Sequence, residues 1–441
     1  MGGKSGRVLS LGFLCLFGVI LIGAHEGPDS HKVVLILFDG FRWDYLKIKG
    51  LEGFTQFMEN GAWVEKMTMA FPTLSYPQYY TIMTGLYAEN HGMVGNNFYD
   101  PLHKEPWLFA NNPEYNHTHF YDDGEPMWVT ATKQDKKSAL YYWPACEVSI
   151  RNVTPAFCDV YWYWPNQTFI HSALESTLDN LEQGFDFVGI YVEETDKIGH
   201  KYGPFSKEIN ETVRNYDKEM KIFLDGLKAR NLFDETNVIL VSDHGMTPYV
   251  DQPYVQPFAN FTEEEYNQTI LWHLDYGIYP THPKYTKMIY EKVKSVNDPH
   301  LHVFLKEDFP DSYHFKHDRR IAPVLMYVDT GYKITWSLNM TTKNNTGGKA
   351  SHGFLPETSD MKGLFLGIGP DFLKGSRQAN IDSVDIYQLM CKMLGITPAP
   401  NNGTWSHVTG ITRFNGVSTS HDQFVGFMMV AVFCLMVNLW I

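Results

Sequence analysis

The sequence is short of positive charge, of cysteine and of repetition. Lys and Arg number 36 against 50 Asp and Glu, a formal net charge of −14. That deficit argues against a nucleic-acid partner held by backbone neutralisation, which needs clustered cations. No internal repeat or low-complexity linker interrupts the chain, so nothing points to a solenoid or a flexible arm. Only five cysteines occur in 441 residues. Cys15 and Cys434 fall in terminal stretches expected to be removed. Cys146 and Cys158 stand in a polar-aromatic segment and are expected to close a small loop. Cys391, in the apolar YQLMCKMLG, reads as a buried free thiol.

The two long apolar runs stand at the ends. Lys4 and Arg7 precede Val8 to Ile22 and then Gly23-Ala24, the pattern of a signal peptide over residues 1–24. Myristoylation fits less well, because Gly6 stands where Ser or Thr is expected. At the other end a small polar stretch, Asn415 to Ser420, is followed by an apolar tail from Phe424 to Ile441. A spanning helix needs about 20 apolar residues and usually a cytoplasmic basic flank. That flank is lacking, so residues 415–441 read as a GPI-attachment signal, leaving 25–414 as the catalytic domain on the outer face of the plasma membrane. A secretory route fits nine N-x-S/T sequons, at Asn116, Asn152, Asn166, Asn210, Asn260, Asn267, Asn339, Asn344 and Asn402.

Between the ends, apolar β-branched runs alternate with helical periodicity. Lys32 to Phe38, Phe187 to Tyr191 and Asn237 to Val241 read as strands buried on both faces. Leu51 to Asn60, Lys207 to Leu227 and Val384 to Leu394 read as helices, the second capped by Ser206. Leu364 to Gly369 adds a further strand. His302 to Leu305 and Ile321 to Val328 suggest a smaller, more antiparallel lobe. The pattern predicts an α/β fold with a mostly parallel sheet and helices on both faces, plus that inserted lobe.

Acids and histidines follow the strands. Asp39 ends the first, Asp196 and His200 (in DKIGH) follow the second, and Asp243-His244 end the third; His352 comes later. In isolation each such residue is most often a cap, a surface group or a core histidine. As a set they offer three carboxylates and three imidazoles. Six such donors exceed one tetrahedral zinc and suit two ions about 4 Å apart, with Ser75 as a seventh ligand. Ser75 lies in FPTLSYP, ahead of an expected helix at Tyr79 to Thr84, where a developing anion is favoured. A serine beside two cations is an activated nucleophile.

Asp39, the FPTLSYP loop, Asn96, DKIGH, Asp243-His244-Gly245-Met246 and His352-Gly353 resemble the nucleotide pyrophosphatase/phosphodiesterase family of the alkaline phosphatase superfamily. The resemblance runs over about residues 31 to 410 and implies an alkaline-phosphatase-like three-layer sandwich. It implies two Zn²⁺ per chain, one held by Asp196, His200 and His352, the other by Asp39, Asp243, His244 and Ser75. Asn96 and the Ser75 N–H would steady the phosphate oxygens. Ser75 would displace the alcohol, and water would then release the phosphate.

Within the family, FPTLSYPQYYTIMTG, YYWPACEV and DVYWYWPN look closest to the choline-specific glycerophosphodiester phosphodiesterase. That likeness predicts phosphocholine release from glycerophosphocholine and lysophosphatidylcholine. Ser75, Tyr76 and Gln78 differ from the threonine, phenylalanine and asparagine of nucleotide-cleaving relatives. A quaternary ammonium needs aromatic faces and a carboxylate, and Tyr191, Tyr161 and Glu193 are the candidates. The competing readings are a nucleotide or dinucleotide phosphodiesterase, a phospholipase C acting on sphingomyelin, and a catalytically silent adhesion ectodomain. No cysteine stands around His407 to Gly410 to link a covalent dimer, which leaves a non-covalent homodimer open.

Overall fold

The computed structural model describes residues 30–108, 117–160, 167–270, 276–336, 338 and 348–414. The expected signal peptide, the GPI signal, Tyr161 and the sequons at Asn116, Asn166, Asn339 and Asn344 lie outside these residues. Asn152, Asn260, Asn267 and Asn402 are exposed and Asn210 is half-buried.

The main sheet has eight strands: β1 (Lys32–Phe38), β2 (Ala62–Thr68), β3 (Ser138–Tyr141), β4 (Phe157–Asp159), β5 (Phe187–Val192), β6 (Thr236–Val241), β7 (Gly363–Ile368) and β8 (Ser376–Asp382). Their order across the sheet is β8-β2-β7-β6-β1-β5-β3-β4. Strand β1 pairs parallel with β5 and β6 at the centre. Strand β7 runs antiparallel to both β6 and β2, against the direction of the rest.

Central strands with both faces covered must be apolar at every position. In β1, Val33, Leu35 and Leu37 enter one core, and Val34, Ile36 and Phe38 enter the other. Helices α1 (Glu52–Asn60), α3 (Gln167–Glu182) and α5 (Lys207–Ala229) cover the second face. Helices α2 (Ser75–Thr84) and α6 (Asp385–Met393) cover the first, and α4 (Glu194–Tyr202) follows β5. This is the expected three-layer sandwich. The smaller lobe is also present: Thr269–Ile270, Gly277–Pro280, Val324–Val328 and Leu301–Leu305 form an antiparallel sheet with its own core around Phe258, Ile278, Ile289 and Val324.

Helix α1 starts at Leu51, which supplies no side-chain cap. The missing cap comes from α5, where Asp217 accepts from Glu52 N–H at 2.9 Å and Phe54 N–H at 2.7 Å. Asp217→Ala leaves those donors unsatisfied, and urea unfolding is expected to read a loss of about 1–2 kcal/mol. Cys146 and Cys158 form a disulfide. Cys391 is buried and unbridged, and burial pushes its thiol up to about 12.

Candidate active site

Parallel strands deliver their C-terminal ends to one edge of the sheet, where α/β proteins build sites. Phe38 is level with Val192 and Leu37 with Val241, so Asp39, the β5–α4 turn and Asp243-His244 emerge side by side. Helix α4 carries Asp196 and His200 four residues apart and therefore on one face. His352 follows Ala350-Ser351, which pairs with Thr247-Pro248. The helix behind the serine begins earlier than expected, at Ser75 itself, with Leu74 extended before it. The proline at Pro77 sits in that first turn, where no helix N–H bond is lost.

The donors converge. His200 Nε2 lies 3.3 Å and His352 Nε2 3.5 Å from Asp196 Oδ1. His244 Nε2 lies 3.2 Å from Asp39 Oδ1 and 3.5 Å from Asp243 Oδ2. Ser75 Oγ is 3.2 Å from His244 Nε2. Asp196, His200 and His352 form one group able to hold a metal ion; Asp39, Asp196 and His244 form another, so Asp196 belongs to both.

Two observations test whether these residues fit a cation. First, each imidazole presents Nδ1 to a carbonyl: His200 to Ala350 O at 2.8 Å, His244 to Gly245 O at 2.8 Å, His352 to Thr73 O at 3.2 Å. A carbonyl only accepts, so each Nδ1 carries the hydrogen and each Nε2 lone pair faces the carboxylates. Second, Asp39 Oδ1, Asp196 Oδ1 and Asp243 Oδ2 are buried without a hydrogen-bond partner. Buried carboxylate oxygens are costly unless paired or metal-bound. The donor set fits divalent metal. The electrostatics agree: burial, and then the Asp243 and Asp196 carboxylates, hold Asp39 well above its usual range. Burial also raises Asp243. Burial opposes charge on Asp196 and on His200, but each stabilises the other's charge, holding Asp196 below its usual range and His200 up at about 9, a counter-charge that a bound cation would replace. Burial, then His244, drives His352 well below its ordinary value.

Asn96 sits beside the nucleophile. Its Oδ1 accepts from Tyr76 N–H at 2.9 Å, which fixes the amide and leaves Nδ2 as its donor. Of the residues expected to meet a quaternary ammonium, Tyr161 lies outside the described residues, and Tyr191 and Glu193 have partners of their own. Tyr191 donates its hydroxyl to Asp39 Oδ2 and packs against Tyr79 at 5.4 Å. Glu193 is buried and pairs with Lys197 at 3.0 Å. A cavity of about 350 Å³ opens instead beside Asn96 and His352, walled by Tyr249, Tyr276, Tyr327 and Trp336 with Lys333 on its rim. Sequence reading missed this wall, because Tyr276, Tyr327 and Trp336 come from the inserted lobe and Tyr249 from the segment ahead of it, with no shared spacing to join them. The carbonyls of Thr73, Gly245 and Ala350 were equally invisible, since any residue offers one.

Residues 33–355 match the family described as Type I phosphodiesterase / nucleotide pyrophosphatase. The chain belongs to that family. It is a phosphoric-diester hydrolase. A Bis(5'-adenosyl)-triphosphatase of Xenopus laevis is 34% identical over 91% of this chain and 86% of its own length. Ectonucleotide pyrophosphatase/phosphodiesterase family member 7 of Mus musculus is 32% identical over 96% of this chain and 98% of its own. Among solved structures, murine ectonucleotide pyrophosphatase/phosphodiesterase 5, as an inactive threonine-to-alanine form in complex with AMP, superposes with a TM-score of 0.79 at 28% identity. It covers 87% of this chain and 100% of its own.

These relatives overturn the expectation that the chain is closest to the choline-specific member. The residues that suggested it have other duties. Gln78 Nε2 donates to Pro72 O at 2.9 Å and also to Ala70 O, while its Oε1 accepts from Ser383 Oγ at 3.0 Å. It braces the nucleophile loop. Tyr76 packs on Tyr79 and Trp107, at 4.9 and 4.5 Å. Among the described residues no helix is long and apolar enough to cross a membrane.

Proposed function

We propose that the chain hydrolyses nucleotide or dinucleotide phosphodiesters through Ser75. The observation that carries this reading is the aromatic cavity of about 350 Å³ that opens beside Asn96 and His352. A planar base stacks on aromatic faces, a contact of about 1–3 kcal/mol per base, and Lys333 supplies a cation for a second phosphate. The AMP complex of the murine relative and the adenosyl-triphosphatase name of the Xenopus one support the same class.

Asp196, His200 and His352 would hold one zinc, and Asp39, Asp243, His244 and Ser75 the other. Bound there, the ions supply neutralisation of phosphate charge and a lowered pKa for the serine hydroxyl. Ser75 Oγ gives up its proton to solvent and forms the new P–O bond as the bond to the leaving alcohol or nucleotide oxygen breaks, that oxygen taking up a proton. Asn96 Nδ2 donates to a non-bridging oxygen as its charge grows. Water then attacks the phosphoserine, the P–O bond to Ser75 breaks, and nucleoside monophosphate leaves. Asn96→Ala is expected to lower kcat about 10²-fold with little change in KM, read with the p-nitrophenyl ester of thymidine monophosphate.

The deciding experiment offers diadenosine triphosphate, that ester and glycerophosphocholine in zinc buffer, with products separated by chromatography. Faster release of nucleoside monophosphate than of phosphocholine supports the reading. Preferential cleavage of glycerophosphocholine overturns it.

A further inference from the structure

The hairpin of Asn97–Asp100 and Glu105–Leu108 carries a second gathering of donors that shares no residue with the active site. His103 sits at its turn, and His117 and His119 come from the 3-10 turn Thr118–Phe120 and the residue before it. The His103 and His119 rings lie 3.9 Å apart, and His117 and His119 5.5 Å. Glu105 reaches both: Oε1 is 2.6 Å from His119 Nε2 and Oε2 is 3.7 Å from His117 Nδ1. Glu105, His117 and His119 place one donor atom each within 4.8 Å of one another, as do Asp100, His103 and His119.

Two features separate this from ordinary surface ion pairing. The His119 Nε2 atom is buried and makes no hydrogen bond of acceptable geometry, although Glu105 Oε1 stands beside it. A nitrogen and a carboxylate oxygen this close, outside hydrogen-bond geometry, need only open a little to reach the spacing of two ligands on one ion. Asp100 has a different part. It is fully buried and held by Arg319 at 2.9 Å and Arg320 at 3.0 Å, and it contacts His103 Nδ1 at 3.2 Å. It orients the histidine from behind, as second-layer carboxylates do in metal sites.

We propose that Glu105, His117 and His119 bind a divalent transition ion of the zinc type, with His103 closing the fourth position. Three imidazoles and one carboxylate are a tetrahedral zinc set. The ion would clip the hairpin to the 3-10 turn. His119 O accepts from Arg320 Nη2 at 2.6 Å, and Arg320 Nη1 donates to Gly92 O at 3.0 Å, so the clip extends toward the turn that carries Asn96.

The test is equilibrium dialysis of the full chain against micromolar zinc, with ions counted per chain for wild type, His117→Ala and the isosteric Glu105→Gln. Wild type is expected to retain one ion more than either variant, with turnover unchanged in all three. Its thermal midpoint should also rise further on zinc addition. Equal ion counts in wild type and a folded variant overturn the proposal. If His117→Ala does not fold, Glu105→Gln carries the comparison alone. The readout is a difference, so one ion in wild type against none in the variants would count against the two-ion reading of the active site while supporting this site.

Discussion

Ser75→Ala is expected to lower kcat by at least about 10⁴-fold, roughly 5.4 kcal/mol of transition-state stabilisation. Ser75 is the first residue of α2, 6% exposed, with Oγ 3.2 Å from His244 Nε2 at the meeting point of three strand ends. Tyr191 and Thr195 also bring hydroxyls to Asp39, but each is spent on that residue, to its carboxylate and its carbonyl; Ser75 Oγ faces His244. Alanine removes one oxygen and one hydrogen bond, a stability cost of about 1 kcal/mol, so circular dichroism should be unchanged, and Asp39, Asp243 and His244 remain to hold the second ion. Ser75→Thr keeps the hydroxyl and is expected to retain turnover within about tenfold. Mass spectrometry of a rapidly quenched wild-type reaction should find one phosphate on the peptide bearing Ser75. An alanine variant with turnover near wild type would transfer the role of nucleophile to water and sink the two-step scheme.

Asp196→Asn is expected to have the second largest effect, because this side chain belongs to both metal-fitting groups. Its Oδ1 stands 3.3 Å from His200 Nε2 and 3.5 Å from His352 Nε2. The asparagine keeps the volume and removes the charge. The variant should lose at least one bound zinc per chain and about 10³-fold in kcat. Chelation should abolish turnover of wild type, and added zinc should restore it; in the variant, zinc should restore little. Metal counting beside kinetics separates this from unfolding. Two retained ions with normal turnover would show that Asp39, Asp243 and the three histidines suffice without Asp196.

The central strands were legible in the sequence because both faces of β1, β5 and β6 are buried, and continuous apolar β-branched runs have few other uses. Asp39, Asp196, His200, Asp243 and His244 were legible because they come soon after those strands, whereas His352 follows only the two-residue strand Ala350-Ser351. The reversed direction of β7 was not, since LFLGIG reads alike in either orientation. Nor was the role of Tyr191. A tyrosine ending an apolar strand gives no sign of where its hydroxyl points, and here it points to Asp39. The substrate class suffered most, because the clues at Tyr76 and Gln78 belong to the packing of the nucleophile loop. The pocket wall lies far along the chain, in Tyr249, Tyr276, Tyr327 and Trp336, and nothing local marks those aromatics as neighbours.

Gly40 follows Asp39 with φ +66°, and its N–H donates to Asp243 Oδ1 at 3.0 Å. A Cβ at this position would stand 2.9 Å from the Asp196 Cα. Main chain therefore abuts main chain between the first strand's exit and helix α4. The gauge between the two halves of the centre is thus set by backbone thickness, with no side chain acting as a spacer. Redesign at positions 39, 196 or 243 can alter which ion is preferred. Moving the halves apart would require a Cβ at position 40, which would act as a shim under the whole helix.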